Sequence, residues 1–288
     1  MYTKKIGTIV SLNKSSFVID IDNKLETYII PNNIKHCIVV GDIVVLNNFN
    51  IIEKIIDRRN IVYRSLFSKS KFIAANIDQI LIIIAVKPSF SVNLLQRILI
   101  EASRSSIEST IILNKIDLKE SKHLNKILEM FSNLKINIVK ICAHDTINTK
   151  LLLYKILKNK KNLFLGQSGM GKSTIIKTIY NDIDIKTREF SQKLNTGKHT
   201  TSFIKSYKIS EINATVIDAP GFQTFGLNHV TEKEILKAFY EFEPFFQNCK
   251  YYNCKHIYEK ECGIKEAIKN NIIYEYRYEL YKNIMINK

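Results

Sequence analysis

From residue 1 to about 66, apolar and polar positions alternate in short runs: KKIGTIV, SSFVIDI, LETYIIP, GDIVVLN and NIIEKIID, separated by Asn-Lys, Pro-Asn-Asn and Gly-Asp. A period of two marks half-buried strands, and the Gly, Pro and Asn between them mark turns. Five strands at this spacing predict a small β-barrel of the OB type, a pattern that an SH3-like barrel also satisfies. Arg58, Arg59, Arg64, Lys69 and Lys71 follow as a basic connector. It reads equally as a solvated linker or as an RNA contact.

From about residue 67 the pattern changes to fully apolar runs separated by helical periodicity. IDQILIIIAV, STIILNKID, INIVKICA, KNLFLGQ and INATVIDAPG read as strands buried on both faces, with helices expected over 94–102, 123–131, 150–157 and from 172 onward. Strands alternating with helices predict a doubly wound α/β unit ending near residue 225. The remainder, 226–288, reads as helical. Thr231 and Glu234 make a T-x-x-E capping box ahead of Ile235, Leu236, Phe239 and Phe242. Pro244 is expected to end that helix, and a terminal helix is expected over 265–282.

Gly166, Gln167, Ser168, Gly169, Met170, Gly171, Lys172 and Ser173 spell G-x-x-x-x-G-K-[ST], with Thr174 next, between an apolar strand and a helix. Such a loop turns successive backbone N–H groups onto phosphates, the lysine reaches the β- and γ-phosphates, and the serine hydroxyl holds Mg²⁺. Asn114, Lys115 and Asp117 form NKID after another buried strand. A carboxylate at Asp117 accepts the paired N1–H and N2–H₂ donors of guanine, whereas adenine would set an acceptor against it. Asn114 and Lys115 would brace that loop. Cys142 and Ala143 end the next strand and are candidates for a backbone N–H to the guanine carbonyl.

DAPG places Asp218 beside Mg²⁺ and the Gly221 N–H near a γ-phosphate. Between it and the phosphate loop, NTGKHTTSF offers Thr200 and Thr201 as candidates to close over Mg²⁺. The base-reading motif precedes the phosphate loop, the reverse of the usual order, so these parts predict a circularly permuted P-loop GTPase. Phe222 follows DAPG where a water-orienting glutamine often stands, so His199 is the first candidate for that catalytic role and Gln223 a weaker one. A structural or RNA-facing histidine is the competing reading of His199.

Composition narrows the rest. In 288 residues, Lys and Arg number 43 against 27 Asp and Glu, a formal charge of +16. That balance favours a polyanion such as RNA, although the abundance of Ile, Lys and Asn also fits a drift toward AT-rich codons. No apolar run approaches the length of a membrane span, so a soluble, cytoplasmic protein is expected. Of five cysteines, Cys249, Cys254 and Cys262 stand with His256 in a C-x4-C-x-H-x5-C array. Three thiolates and one imidazole match one closed, structural zinc site, which would stabilise an appendage expected to bury little core. Cys37 lies in an apolar run and reads as core, as does Cys142.

Together, GQSGMGKS, GKHTT, DAPGF, NKID and the cysteine array resemble the RsgA (YjeQ) family of circularly permuted GTPases over nearly the whole chain. The resemblance implies an OB barrel over 1–66, a permuted GTPase domain over 67–225 and a helical zinc-binding domain over 226–288. It further implies binding of the small ribosomal subunit and its 16S rRNA, with GTP hydrolysed to GDP late in subunit maturation and coupled to release; a monomer is expected. The histidine of the family's GxHTT loop maps onto His199. The alternative is a nucleotide-gated rRNA-binding module in which hydrolysis is incidental. Two departures from the family stand out: the chain begins almost at its first strand, without a basic N-terminal extension, and DAPG replaces the more usual DTPG.

Overall fold

The computed structural model describes residues 4–13, 15–31, 34, 37–66, 69–180 and 204–287. The alternating N-terminal runs form β1 (Lys5–Leu12), β2 (Ser16–Ile21), β3 (Lys24–Ile29), β4 (Ile43–Leu46) and β5 (Ile52–Ile55). They are antiparallel, and β1 pairs with β2 on one side and β4 on the other. A bulge between Ile9 and Ser11 bends β1, which lets one strand serve both ladders. Ile9, Phe17, Ile19, Val44 and Leu46 fill the core of this β-rich part. Cys37, expected in that core, is exposed, because its segment forms a turn between β3 and β4.

The basic connector is a hairpin of its own, β6 (Ile61–Leu66) and β7 (Lys69–Ala75), standing apart from the large sheet. The central strands are β8 (Gln79–Ala85), β9 (Glu108–Asn114), β10 (Asn137–Lys140), β11 (Lys161–Gly166), β12 (Lys205–Ile209) and β13 (Ala214–Asp218). Their order is β10-β9-β8-β11-β13-β12, continuing into β1. All neighbours are parallel except β12, which runs antiparallel to β13 and β1. β8 shows why the run reads as continuously apolar: Ile80, Ile82 and Ile84 face one core, and Leu81, Ile83 and Ala85 the other.

The four helices of this part are α1 (Val92–Arg104), α2 (Lys122–Asn133), α3 (Thr146–Leu157) and α4 (Lys172–Ile179). Residues of α1 and α2 join the first core, and those of α3 and α4 the second. The chain passes outward through β8, β9 and β10, then returns to place β11 on the opposite side of β8. A crevice therefore opens at the carboxyl ends of β8 and β11, the position where open α/β sheets bind ligands.

The C-terminal part has α5 (Glu232–Lys237), a 3-10 stretch Tyr240–Asn248, α6 (Gly263–Lys269) and α7 (Glu275–Ile286). The capping box forms: Thr231 and Glu234 exchange side chain and backbone bonds. The helix ends earlier than expected, and Pro244 lies inside the 3-10 stretch. The terminal helix expected over 265–282 is broken into α6 and α7 around Asn271, whose φ of 56° lies in the left-handed region.

This part is also no coreless appendage. Ile235, Phe239, Phe242 and Tyr281 belong to the same buried cluster as Leu94 and Ile98 of α1. Arg277 is fully buried, 2.5 Å from Glu241, bonded to Gln96 of α1 and stacked over Phe239.

Candidate functional site

The crevice is built by loops that lock onto one another. Asn114, at the end of β9, donates through Nδ2 to the Met170 carbonyl at 3.0 Å and accepts the Ala143 N–H at 3.0 Å. Lys115 reaches the Gly169 carbonyl at 2.9 Å, from a backbone φ of 63°. The NKID loop thus rests directly on the GQSGMGKS loop. That contact explains Gly171, which has a φ of +90° and where a Cβ would collide with Asn114 Nδ2. Asp117 is exposed, and one of its carboxylate oxygens accepts from the Cys142 thiol at 3.1 Å. Ala143 N–H is engaged by Asn114, while the Ala143 carbonyl accepts from Thr178 of α4.

Across the crevice, the Ser91 N–H at the start of α1 donates to Gln167 Oε1 at 2.6 Å. Lys172 and Asp218 are both buried and paired at 2.6 Å. Burial pushes the Asp218 carboxyl up, against the opposing pull of Lys172 and Lys205. Ser173 and Thr174 are exposed on the first turn of α4, beside the positive end of that helix. Gly221 packs on the phosphate loop so tightly that a Cβ would stand 2.8 Å from Ser168 N. His199, Thr200 and Thr201 lie outside the described residues.

At the other end, Cys249, Cys254, His256 and Cys262 converge: their ligand atoms all lie within 4.8 Å of one another. His256 turns Nδ1 toward Cys249 Sγ at 3.5 Å and Cys262 Sγ at 3.4 Å, while its ring stacks on Phe246. A tetrahedral zinc site with bonds of about 2.0–2.3 Å has edges of roughly 3.5–3.8 Å, so these residues fit the ion. Burial pushes the Cys254 thiol up to about 12, pushes Cys262 up as well, and pushes His256 down. The donors are therefore a neutral imidazole and thiols that need a cation to give up their protons. The Gly263 N–H, which donates to Cys249 Sγ at 3.3 Å, supports the sulfur from outside the cluster.

Residues 55–228 match the RsgA GTPase family. The chain belongs to that family. It is 38% identical over 261 residues to a protein of Paraburkholderia phymatum named small ribosomal subunit biogenesis GTPase RsgA, covering 88% of this chain and 82% of the relative. A Bordetella pertussis protein of the same name is 36% identical over 284 residues, covering 97% and 95%. The crystal structure of YjeQ from Thermotoga maritima superposes with a TM-score of 0.73 at 26% identity, covering 99% of this chain and 98% of that one. YloQ, described as a circularly permuted GTPase, shares the fold with a TM-score of 0.68.

This RsgA GTPase places no polar side chain directly after DAPG. Phe222 is buried, its N–H donates to the Gly166 carbonyl at 3.1 Å, and its ring packs edge-on against Phe225. Gln223 is exposed and lines a cavity of about 310 Å³ with Ser91, Asn93, Arg97 and Asn287. Sequence reasoning missed a second cluster nearby. Ser65 and Gly226 exchange backbone bonds, and Ser65 Oγ meets His229, which meets the buried carboxylate of Glu101. Only the basic character of the 58–71 connector hinted at this region.

Proposed function

We propose that this chain binds GTP in the crevice between β8 and β11 and hydrolyses it to GDP in the biogenesis of the small ribosomal subunit, as the names of its relatives state for them. The observation that carries the reading is Asn114, whose side chain joins the phosphate loop to the base-reading loop in one rigid frame beside Asp117. In that frame Asp117 accepts the two donors of guanine. Lys172 exchanges Asp218 for the β- and γ-phosphates, and the released Asp218 joins Ser173 and either Thr200 or Thr201 as the Mg²⁺ set. When bound, Mg²⁺ neutralises phosphate charge as the γ-phosphoryl group is transferred to water.

His199 is the residue we assign to orienting the water, because Phe222 cannot. The chain acts as a cytoplasmic monomer on the subunit and its 16S rRNA, with 1–66, 67–225 and 226–288 as its three working units and one structural zinc ion in the last. Turnover of GTP and of ATP, with and without purified small subunits, tests this for the wild type and His199→Ala. GTP-specific stimulation that the substitution abolishes is the expected result. ATP turnover equal to GTP turnover would overturn the guanine assignment. A second reading has the buried Phe222 in its favour: a nucleotide-gated binding module. Subunit binding that depends on GTP, with no stimulated turnover, would select it.

A further inference from the structure

The residues after DAPG wrap around strand β6. Side chains alternate along a strand, so Tyr63 and Ser65 face one side and Arg64 the other. Phe222 lies on the Arg64 side, with the guanidinium carbon 4.3 Å from its ring centroid. Gly226 then pairs with Ser65 along the strand, through N–H···O bonds of 2.9 and 3.2 Å. His229 closes on the opposite side, 2.9 Å from Ser65 Oγ and with its ring 5.4 Å from that of Tyr63. The segment therefore crosses the strand from one face to the other and is fastened at three points.

Arg64 differs from the other partly buried arginines of this region, each of which is held by an oxygen acceptor. Arg58 and Arg104 each pair with an Asp or Glu, and Arg97 donates to the Asn93 side chain and the Asn287 carbonyl. Among the described residues no carboxylate pairs with Arg64, and burial depresses its pKa. The aromatic face of Phe222 is what attracts its charge. Phe222 is in turn tied to the phosphate loop through its N–H to Gly166, and the residue before it, Gly221, sits against Ser168. The Gly221 amide is thus set between the phosphate loop and a ring that Arg64 holds from behind.

We infer that Arg64 is a positioning residue for γ-phosphate recognition. Acting through the Phe222 ring, it fixes the Gly221 turn and so sets the preference for GTP over GDP. The inference rests on the proposed guanine-nucleotide reading of the crevice, because only a γ-phosphate distinguishes the two ligands. GDP makes no use of the Gly221 amide, so its affinity is a separate measure of an intact site.

The test is the ratio of affinities for a non-hydrolysable GTP analogue and for GDP, measured by calorimetry. The proteins compared are the wild type, Arg64→Gln, Arg64→Lys, Phe222→Leu and the Arg64→Gln/Phe222→Leu double variant. Loss of a cation–π contact lowers the ratio about threefold or more in Arg64→Gln, with GDP affinity unchanged. Arg64→Lys keeps most of the preference, because an ammonium also sits on the ring. In the Phe222→Leu background, Arg64→Gln adds nothing further, which is the signature of direct coupling.

An unchanged ratio in Arg64→Gln overturns the inference, and so does an effect of the same size with and without the Phe222 ring. Should Arg64→Gln fail to fold, Arg64→Met keeps the apolar stem without the charge and is held to the same two outcomes. A wild type that binds neither nucleotide would overturn the guanine reading itself, and the inference with it.

Discussion

In the proposed guanine site, one side chain, Asp117, decides much at the residue scale. Its carboxylate would offer two acceptors where guanine offers two donors, so replacing one oxygen with an amide nitrogen would turn a match into a clash. Asp117→Asn is expected to weaken GTP binding at least about a hundredfold. It should also improve binding of xanthosine triphosphate, whose C2 carbonyl accepts from the new amide. Competition binding with both nucleotides checks this, and retention of wild-type GTP affinity would remove Asp117 from the base site. The placement of such motifs is legible in the sequence because it is local: NKID and GQSGMGKS are contiguous, and each follows a buried strand. Arg64 and Phe222 are not, since a stacked pair drawn from distant parts of the chain leaves no spacing to read. The same holds for the clash that makes Gly171 obligatory, which becomes visible only once Asn114 is placed against it.

The element that ties the molecule together is α1. Glu101 on its inner face is fully buried, and it accepts from Arg104 at 2.7 Å, from the Tyr63 N–H at 2.7 Å and from His229 at 3.0 Å. Burial pushes its carboxyl up, but Arg104, His229 and the Tyr63 amide outweigh that and hold it below the usual glutamate range. A depressed carboxylate contributes stability that is present above its unfolded pKa and is lost as pH falls toward the folded one. Glu101→Gln is therefore expected to lower stability by about 2–4 kcal/mol at neutral pH. The difference from the wild type should shrink as pH drops below the ordinary glutamate range. Urea unfolding of both proteins across that range checks it, and a pH-independent difference would remove the carboxylate charge from the account. At this scale the periodicity located every helix of the α/β part and most strands. It passed over β6, β7 and β12, where charged residues interrupt the apolar alternation and pairing with distant strands supplies the stability that local pattern does not.

Across the whole molecule, the zinc-fitting cluster and the crevice share one core through α1, whose Leu94 and Ile98 belong to the same buried cluster as Phe239 and Tyr281. Metal removal should therefore be felt well beyond the cysteines. Chelation is expected to lower the melting temperature by about 10 °C or more and to speed hydrogen exchange of α1 amides. Unchanged exchange in α1 would show that the C-terminal part unfolds on its own. No helix of the described residues is long and apolar enough to cross a membrane. The permuted order also has a consequence during synthesis. A ribosome making this chain releases β8, β9 and β10 as three adjacent strands carrying the NKID loop before the phosphate loop has been translated. Asn114 and Lys115 then lack the Met170 and Gly169 carbonyls that hold them, so the nascent protein cannot bind GTP tightly until its second half has been translated and folded against the first.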